Sequence, residues 1–230
     1  MIIFSGLFPK IIFKGNTKYN NDIKVIQIGK TRKLIVNGMV QSSNIDSNYY
    51  KDKVWYALAK LVCENKPEIK NILILGMGAG TVIQSMYKDF NMTGFQTTFV
   101  EIDDKIAEVA EKYFGLNIIP DKKVVIADAS EVLKDPNKFG IAGRFDCIIV
   151  DTYQGEEYPD SVNNNQFLIN LLNLADGETL LIFNRVYGKY DKENPRKFLT
   201  TIGRFLNIVN TITIKGPAIA DNLLIFGYKA

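Results

Sequence analysis

A chain of 230 residues, 47% hydrophobic and 23% charged, is long enough to bury one full α/β core with a small appendage and has the composition of a soluble globular protein. Its net charge of +3, carried by scattered lysines, argues against a nucleic-acid partner. Two cysteines and no histidine exclude zinc-type ligand spacing, a disulfide framework and all histidine-based acid, base or nucleophile chemistry, so proton transfer falls to a carboxylate, Tyr, Lys or water.

Residues 1–8 are apolar but carry no basic start or small-residue cleavage site, and Lys10 and Lys14 soon follow. They read as a strand rather than a signal peptide. No apolar run reaches the roughly 18 residues of a membrane span, so no membrane partner and a cytoplasmic location are expected. Residues 1–45 predict a small β-sheet with a hairpin at Asn37-Gly38. We take 1–48 as an N-terminal β unit and 49–230 as an α/β unit. Residues 49–63 predict a helix, with Tyr50, Val54, Leu58, Ala59 and Val62 near one face.

The stretch 71–80 organises the chain. A continuous apolar run reads as a strand buried on both faces, then breaks into Gly76, Gly78 and Gly80 before a helix at 81–90. Such a turn brings backbone N–H groups close to a ligand. The dinucleotide pattern G-x-G-x-x-G fails, because its sixth position is Thr81 and the third glycine comes one residue early. No Gly-Lys-Ser/Thr follows, which excludes a P-loop. What remains is G-x-G-x-G, the spacing of S-adenosylmethionine-type nucleoside sites.

Strands and helices then alternate, which predicts a parallel sheet covered on both faces. Strands are expected at 95–102, 124–126, 145–150 and 178–184, with helices at 104–113, 130–133, 166–175 and 195–207. The last two strands, 209–214 and 223–228, are joined too briefly for a crossover and should be antiparallel.

Three acids fall at or just past three strand ends, where open α/β sheets bind their ligands: Glu101, Asp128 and Asp151. Glu101, beside Ile102, lies 25 residues after Gly76, the distance at which a carboxylate meets ribose hydroxyls. Asp128 could accept an adenine amino group with the Ala129 amide on the ring, or cap the next helix, and the two roles are compatible. Asp151 would face the reacting end of the ligand. A sulfonium 4 Å away would attract it by roughly 4 kcal/mol at an effective dielectric of about 20.

The segments LILGMGAG, FVEID, IADAS and FDCIIVD, in this order and spacing, resemble the polyamine aminopropyltransferases, the spermidine synthase family. The resemblance extends to KLIVNGMVQSSNIDSNYY and covers most of residues 22–230. It implies a small N-terminal β domain followed by a seven-stranded methyltransferase-like Rossmann domain, and a homodimer. It also implies S-adenosylmethionine or its decarboxylated form as co-substrate, with no metal. In this reading Gln41 contacts the nucleoside, Glu101 its ribose, and Asp128 with Ala129 its adenine. Asp151 is the catalytic carboxylate that helps deprotonate an attacking amine, and Tyr50, Tyr153 and Gln154 fall on the acceptor side.

The departures from the family lie outside the nucleoside half. Ala79 stands where the family has an acid that grips the terminal amine of the decarboxylated co-substrate. The Asp-Ser-Ser-Asp-Pro motif reads Asp151-Thr152-Tyr153-Gln154-Gly155, a Tyr-His pair reads Tyr50-Lys51, and a late Tyr-Pro reads Gly216-Pro217. Losing two carboxylates and gaining Lys51 disfavours a diamine such as putrescine, and Ala79 no longer repels the α-carboxylate of intact S-adenosylmethionine. Glu156, Glu157 and Asp160 read as a solvated loop face or, if that loop folds over the site, as replacements for the lost acids, and Tyr153 and Tyr158 could equally line an aromatic acceptor pocket. Aminopropyl transfer to a different small-molecule nucleophile, methyl transfer, and a non-catalytic nucleoside-binding or interaction domain all remain open.

Overall fold

The computed structural model describes residues 8–153, 164–188, 193–216 and 220–230. A four-stranded antiparallel sheet comes first, with β1 (Lys10–Gly15), β2 (Ile23–Ile28), β3 (Thr31–Val36) and β4 (Met39–Ser43) in chain order. Asn37 and Gly38, at φ 49° and 87°, turn β3 into β4 as that dipeptide predicts.

After a 3-10 turn at Asn48–Asp52 come α1 (Val54–Asn65), β5 (Asn71–Leu75), α2 (Thr81–Phe90), β6 (Gln96–Glu101) and α3 (Asp104–Phe114). The chain continues through β7 (Lys122–Ile126), α4 (Ala129–Lys134), β8 (Cys147–Val150), α5 (Asn165–Leu172) and β9 (Leu180–Gly188). It closes with α6 (Glu193–Ile202), β10 (Leu206–Ile214) and β11 (Ala220–Lys229). These seven strands form one sheet in the order β10-β11-β9-β8-β5-β6-β7. Strands β7, β6, β5, β8 and β9 are parallel, and β11 runs antiparallel between β9 and β10.

The central strand shows why its sequence carries no polar alternation. Ile72 and Ile74 enter the apolar cluster on one face of the sheet, and Leu73 and Leu75 enter the cluster on the other. All four are 2% exposed or less.

Two expected helices differ from those observed. The segment 49–63 is not continuous, because Lys53 is extended (φ −106°, ψ 164°) and separates the 3-10 turn from α1. The expected helix 195–207 stops at Ile202, and Leu206 and Asn207 already pair with Lys229 and Tyr228 in β10. Strand pairing with a distant segment overrides the helical pattern there. Among the described residues no helix is long and apolar enough to cross a membrane.

The small sheet shares its core with the larger unit: Ile23, Val25, Leu34 and Val36 lie in the same cluster as Leu58, Ile83 and Phe99. Polar ties fix its approach. Thr81 Oγ1 donates to Ser43 O at 2.6 Å and sits 2.7 Å from Ser42 Oγ. Asp103, fully buried, accepts from Thr17 Oγ1 at 2.6 Å and Asn20 Nδ2 at 2.7 Å, while its other oxygen caps α3 through the Lys105 amide at 3.0 Å.

Asp103→Ala removes the cap and strands two donors, so it should lower unfolding free energy by about 3 kcal/mol in a urea titration. A loss below about 0.5 kcal/mol would show that the loop is held by its apolar contacts instead.

Candidate functional site

The turn after β5 is built by close backbone approach. Gly76, at φ 90°, donates its amide to Val100 O at 2.9 Å, and a Cβ on it would stand 2.2 Å from Asp151 O. Gly80, at φ 73°, precedes α2, and a Cβ there would come within 2.7 Å of the Leu116 side chain. Gly76 therefore requires glycine for space as well as for conformation, and Gly80 for its left-handed backbone.

Beside this turn, Glu101 is clamped by two backbone amides: Oε2 accepts from Met77 N at 3.2 Å and Oε1 from Asp103 N at 3.1 Å. Burial pushes its carboxyl above the usual range, against the pull of those amides. Asp128 accepts on Oδ1 from Ser130 N at 2.7 Å and Glu131 N at 3.4 Å, which makes it the N-cap of α4.

Asp151 follows β8, half-buried and open to the cleft, and accepts on Oδ1 from Asn184 Nδ2 at 2.7 Å. Burial raises its carboxyl to about 7, with the Asn184 bond opposing. Tyr153 donates its hydroxyl to Asn184 O at 2.9 Å.

The three acids, from the ends of β6, β7 and β8, line one cleft with Gly76, Gly78, Ile102, Ala129 and Tyr153. Gln41 from β4 and Asn20 from the loop after β1 cover it from the small sheet. Gly80 lies behind, on a second small cavity that also touches Gln41, Trp55 and Asp151.

Tyr50 is not among the residues lining the cleft. It is fully buried, and its hydroxyl donates to Asp89 at 2.7 Å. Asp89 also accepts from Ser85 at 2.9 Å and pairs with Lys51 at 3.3 Å. Burial raises the Asp89 carboxyl, but these three partners outweigh it and hold it below its ordinary value. Tyr50, expected on the acceptor side, and Lys51 are thus joined through Asp89, and neither lines the cleft.

Ala79 is buried in the core and does not line the cleft. Gln154, Glu156, Glu157, Tyr158 and Asp160 lie outside the described residues.

Asn20, Trp55 and Asn184 were missed at the level of sequence. A signal existed for Asn184, which ends an apolar run in the same way as the three acids. Asn20 and Trp55 carried none, because their place at the site depends on how the small sheet and α1 pack.

The strand order and the acids at the ends of parallel strands define a methyltransferase-like α/β protein with a small N-terminal β-sheet. The spermine/spermidine synthase domain matches residues 52–228, and the chain belongs to that family.

Among its relatives, the polyamine aminopropyltransferase of Vibrio vulnificus is 29% identical over 168 residues, covering 70% of this chain and 52% of that protein. Polyamine aminopropyltransferase 1 of Hyperthermus butylicus is 28% identical over 153 residues, covering 64% and 50%. The chain thus spans about half the length of the curated relatives it matches. Spermidine synthase from Thermotoga maritima superposes with a TM-score of 0.74 at 17% identity, over 96% of this chain and 73% of that one. Human methyltransferase-like protein 13, solved with SAH, gives 0.60 at 21%, over 80% and 83%. At these identities the two likenesses are of fold.

The raised carboxyl of Asp151 has a stability consequence with a definite sign. Its folded value of about 7 exceeds the ordinary 3.8, so folding takes up a proton between those values and wild-type stability falls as pH rises through that window. Asp151→Asn should match wild type below the window, gain on it across the window and stay ahead above it by about 2 kcal/mol after discounting hydration from the cleft. Urea titrations at pH 3.5, 5.5 and 8 measure this, and a pH-independent difference would refute it.

Proposed function

We propose that the chain binds an S-adenosyl nucleoside in this cleft and transfers a group from it to a small nucleophile. The observation that carries this is the convergence of Glu101, Asp128 and Asp151 on the Gly76 turn from the ends of β6, β7 and β8, parallel strands that flank β5, with Gln41 on the same cleft. The donor set fits such a molecule. Glu101 presents a carboxylate fixed by two backbone amides, suited to a pair of vicinal ribose hydroxyls. Asp128 and the Ala129 amide suit the edge of adenine, and the Asp128 capping bonds hold them in place. Residues 1–48 form the unit that covers the nucleoside and 49–230 the unit that binds it, and the family resemblance supports a homodimer.

When bound, decarboxylated S-adenosylmethionine supplies a sulfonium carbon that an amine attacks, the C–S bond breaking with its electron pair going to sulfur. Asp151 takes the proton from that amine. A carboxyl near 7 is matched to this task at neutral pH. The family and its aminopropyltransferase relatives support an aminopropyl group as the one transferred. The departure at position 154, where Gln154 stands in place of the family's second motif acid, argues that the acceptor is an amine other than putrescine.

A second reading, methyl transfer from intact S-adenosylmethionine, is favoured by one observation. Ala79 is turned into the core, so no acid at that position stands against an α-carboxylate.

Calorimetric titration with S-adenosylmethionine, its decarboxylated form and methylthioadenosine, followed by product analysis, separates the readings. Methylthioadenosine release supports aminopropyl transfer, S-adenosylhomocysteine release supports methyl transfer, and binding of none of the three overturns both. Glu101→Ala should weaken nucleoside affinity by about 100-fold, because two charge-assisted hydrogen bonds are lost. Unchanged affinity would remove Glu101 from the site.

A further inference from the structure

Asp151 depends on a side-chain amide whose own orientation is set from another strand. Asn184 lies on β9 and Asn222 on β11, in an antiparallel pair where Asn184 faces Leu224 and Asn222 faces Val186. The two asparagines are therefore diagonal neighbours on one face of the sheet. Asn222 Nδ2 donates to Asn184 Oδ1 at 2.9 Å, and Asn184 Nδ2 donates to Asp151 Oδ1 at 2.7 Å. Asn184 is 2% exposed, so water does not compete for its amide.

A carboxamide turned by half a revolution swaps donor for acceptor at nearly constant shape. With its oxygen free to turn, Asn184 would present either end to Asp151. The Asn222 bond engages that oxygen and so selects the NH2 group for the carboxylate. We propose that Asn222 is a positioning residue of the cleft, holding Asn184 in the orientation that donates to Asp151. The inference rests on the reading that Asp151 takes the proton, since the arrangement favours the ionised, proton-accepting form.

Other charges near this relay are disposed differently. Glu101, Asp128 and Tyr153 share the cleft with Asp151. On β9, Arg185 follows Asn184 and points to the opposite face, its guanidinium 3.7 Å from the Phe198 ring centre, and Tyr187 pairs across the sheet with Asp221. Asp221 alternates with Asn222 to the far face and meets Lys215 at 2.9 Å. Uncharged replacements at 222 therefore change the relay without altering the charge of these groups.

The test is an NMR titration of the Asp151 carboxyl in carbon-13-labelled full-length protein, assigned by the signal missing from Asp151→Asn. In Asn222→Leu the midpoint should rise by about one pH unit, a tenfold shift, because Asn184 can now turn its oxygen toward Asp151. Asn222→Ala, which fits wherever asparagine fits, carries the same expectation if the leucine variant folds poorly. Asn222→Ser, which restores a donor, should return toward the wild-type midpoint. Equal midpoints in wild type, Asn222→Leu and Asn222→Ala would overturn the proposal. The readout needs no ligand, so absent nucleoside binding in wild type with the shift intact would sink the proposed function while leaving Asn222 in its positioning role. Where turnover is measurable, the acid limb of kcat should move with the carboxyl while the KM for nucleoside stays constant.

Discussion

Gly76 meets the backbone of Asp151 with no room for a methyl group between them. That contact joins the first turn of the parallel sheet to the end of the neighbouring strand, and the Asp151 amide bonds to Leu75 O at 2.8 Å across the same junction. A side chain at position 76 would push β5 and β8 apart where the cleft begins, and would displace the carboxylate that follows β8. The positions of Glu101 and Asp151 relative to each other follow from this approach, because each is tied to the same turn from opposite sides.

The small sheet is held to that frame by groups that are themselves beside the cleft. Asp103 binds the loop carrying Asn20 and caps α3, and its amide also fixes one oxygen of Glu101. Covering the cleft and orienting its carboxylate are therefore coupled through one residue. Ser42, Ser43 and Thr81 make a second tie next to Gln41. Apolar packing alone would allow the two sheets to slide, whereas buried hydrogen bonds to single atoms fix one placement.

The cleft carboxylates differ because their partners differ. Glu101 and Asp151 are both raised by burial, one opposed by backbone amides and the other by a single side-chain amide. Asp89, outside the cleft, is lowered because three partners overcome the same burial penalty. Lys51 and Tyr50 both contact Asp89.

Local pattern determined much of this protein. The apolar run at 71–75, the glycines after it, the helix at Thr81–Phe90, the acids at three strand ends and the antiparallel final pair were legible because each depends on short-range periodicity or turn chemistry. The capping role of Asp128 was legible for the same reason. Tertiary structure decided the rest. Tyr50 shares an apparent helical face with Val54 and Leu58, yet it lies in a separate turn bonded to Asp89, 39 residues away. The helix pattern beyond Ile202 yielded to strand pairing with Tyr228 and Lys229. Asn222 reaches Asn184 across 38 residues, and Asn184 reaches Asp151 across 33. A hydrogen bond between distant segments leaves no periodic trace, so which polar groups serve the cleft and which only hold the fold together is settled when the sheets close on one another.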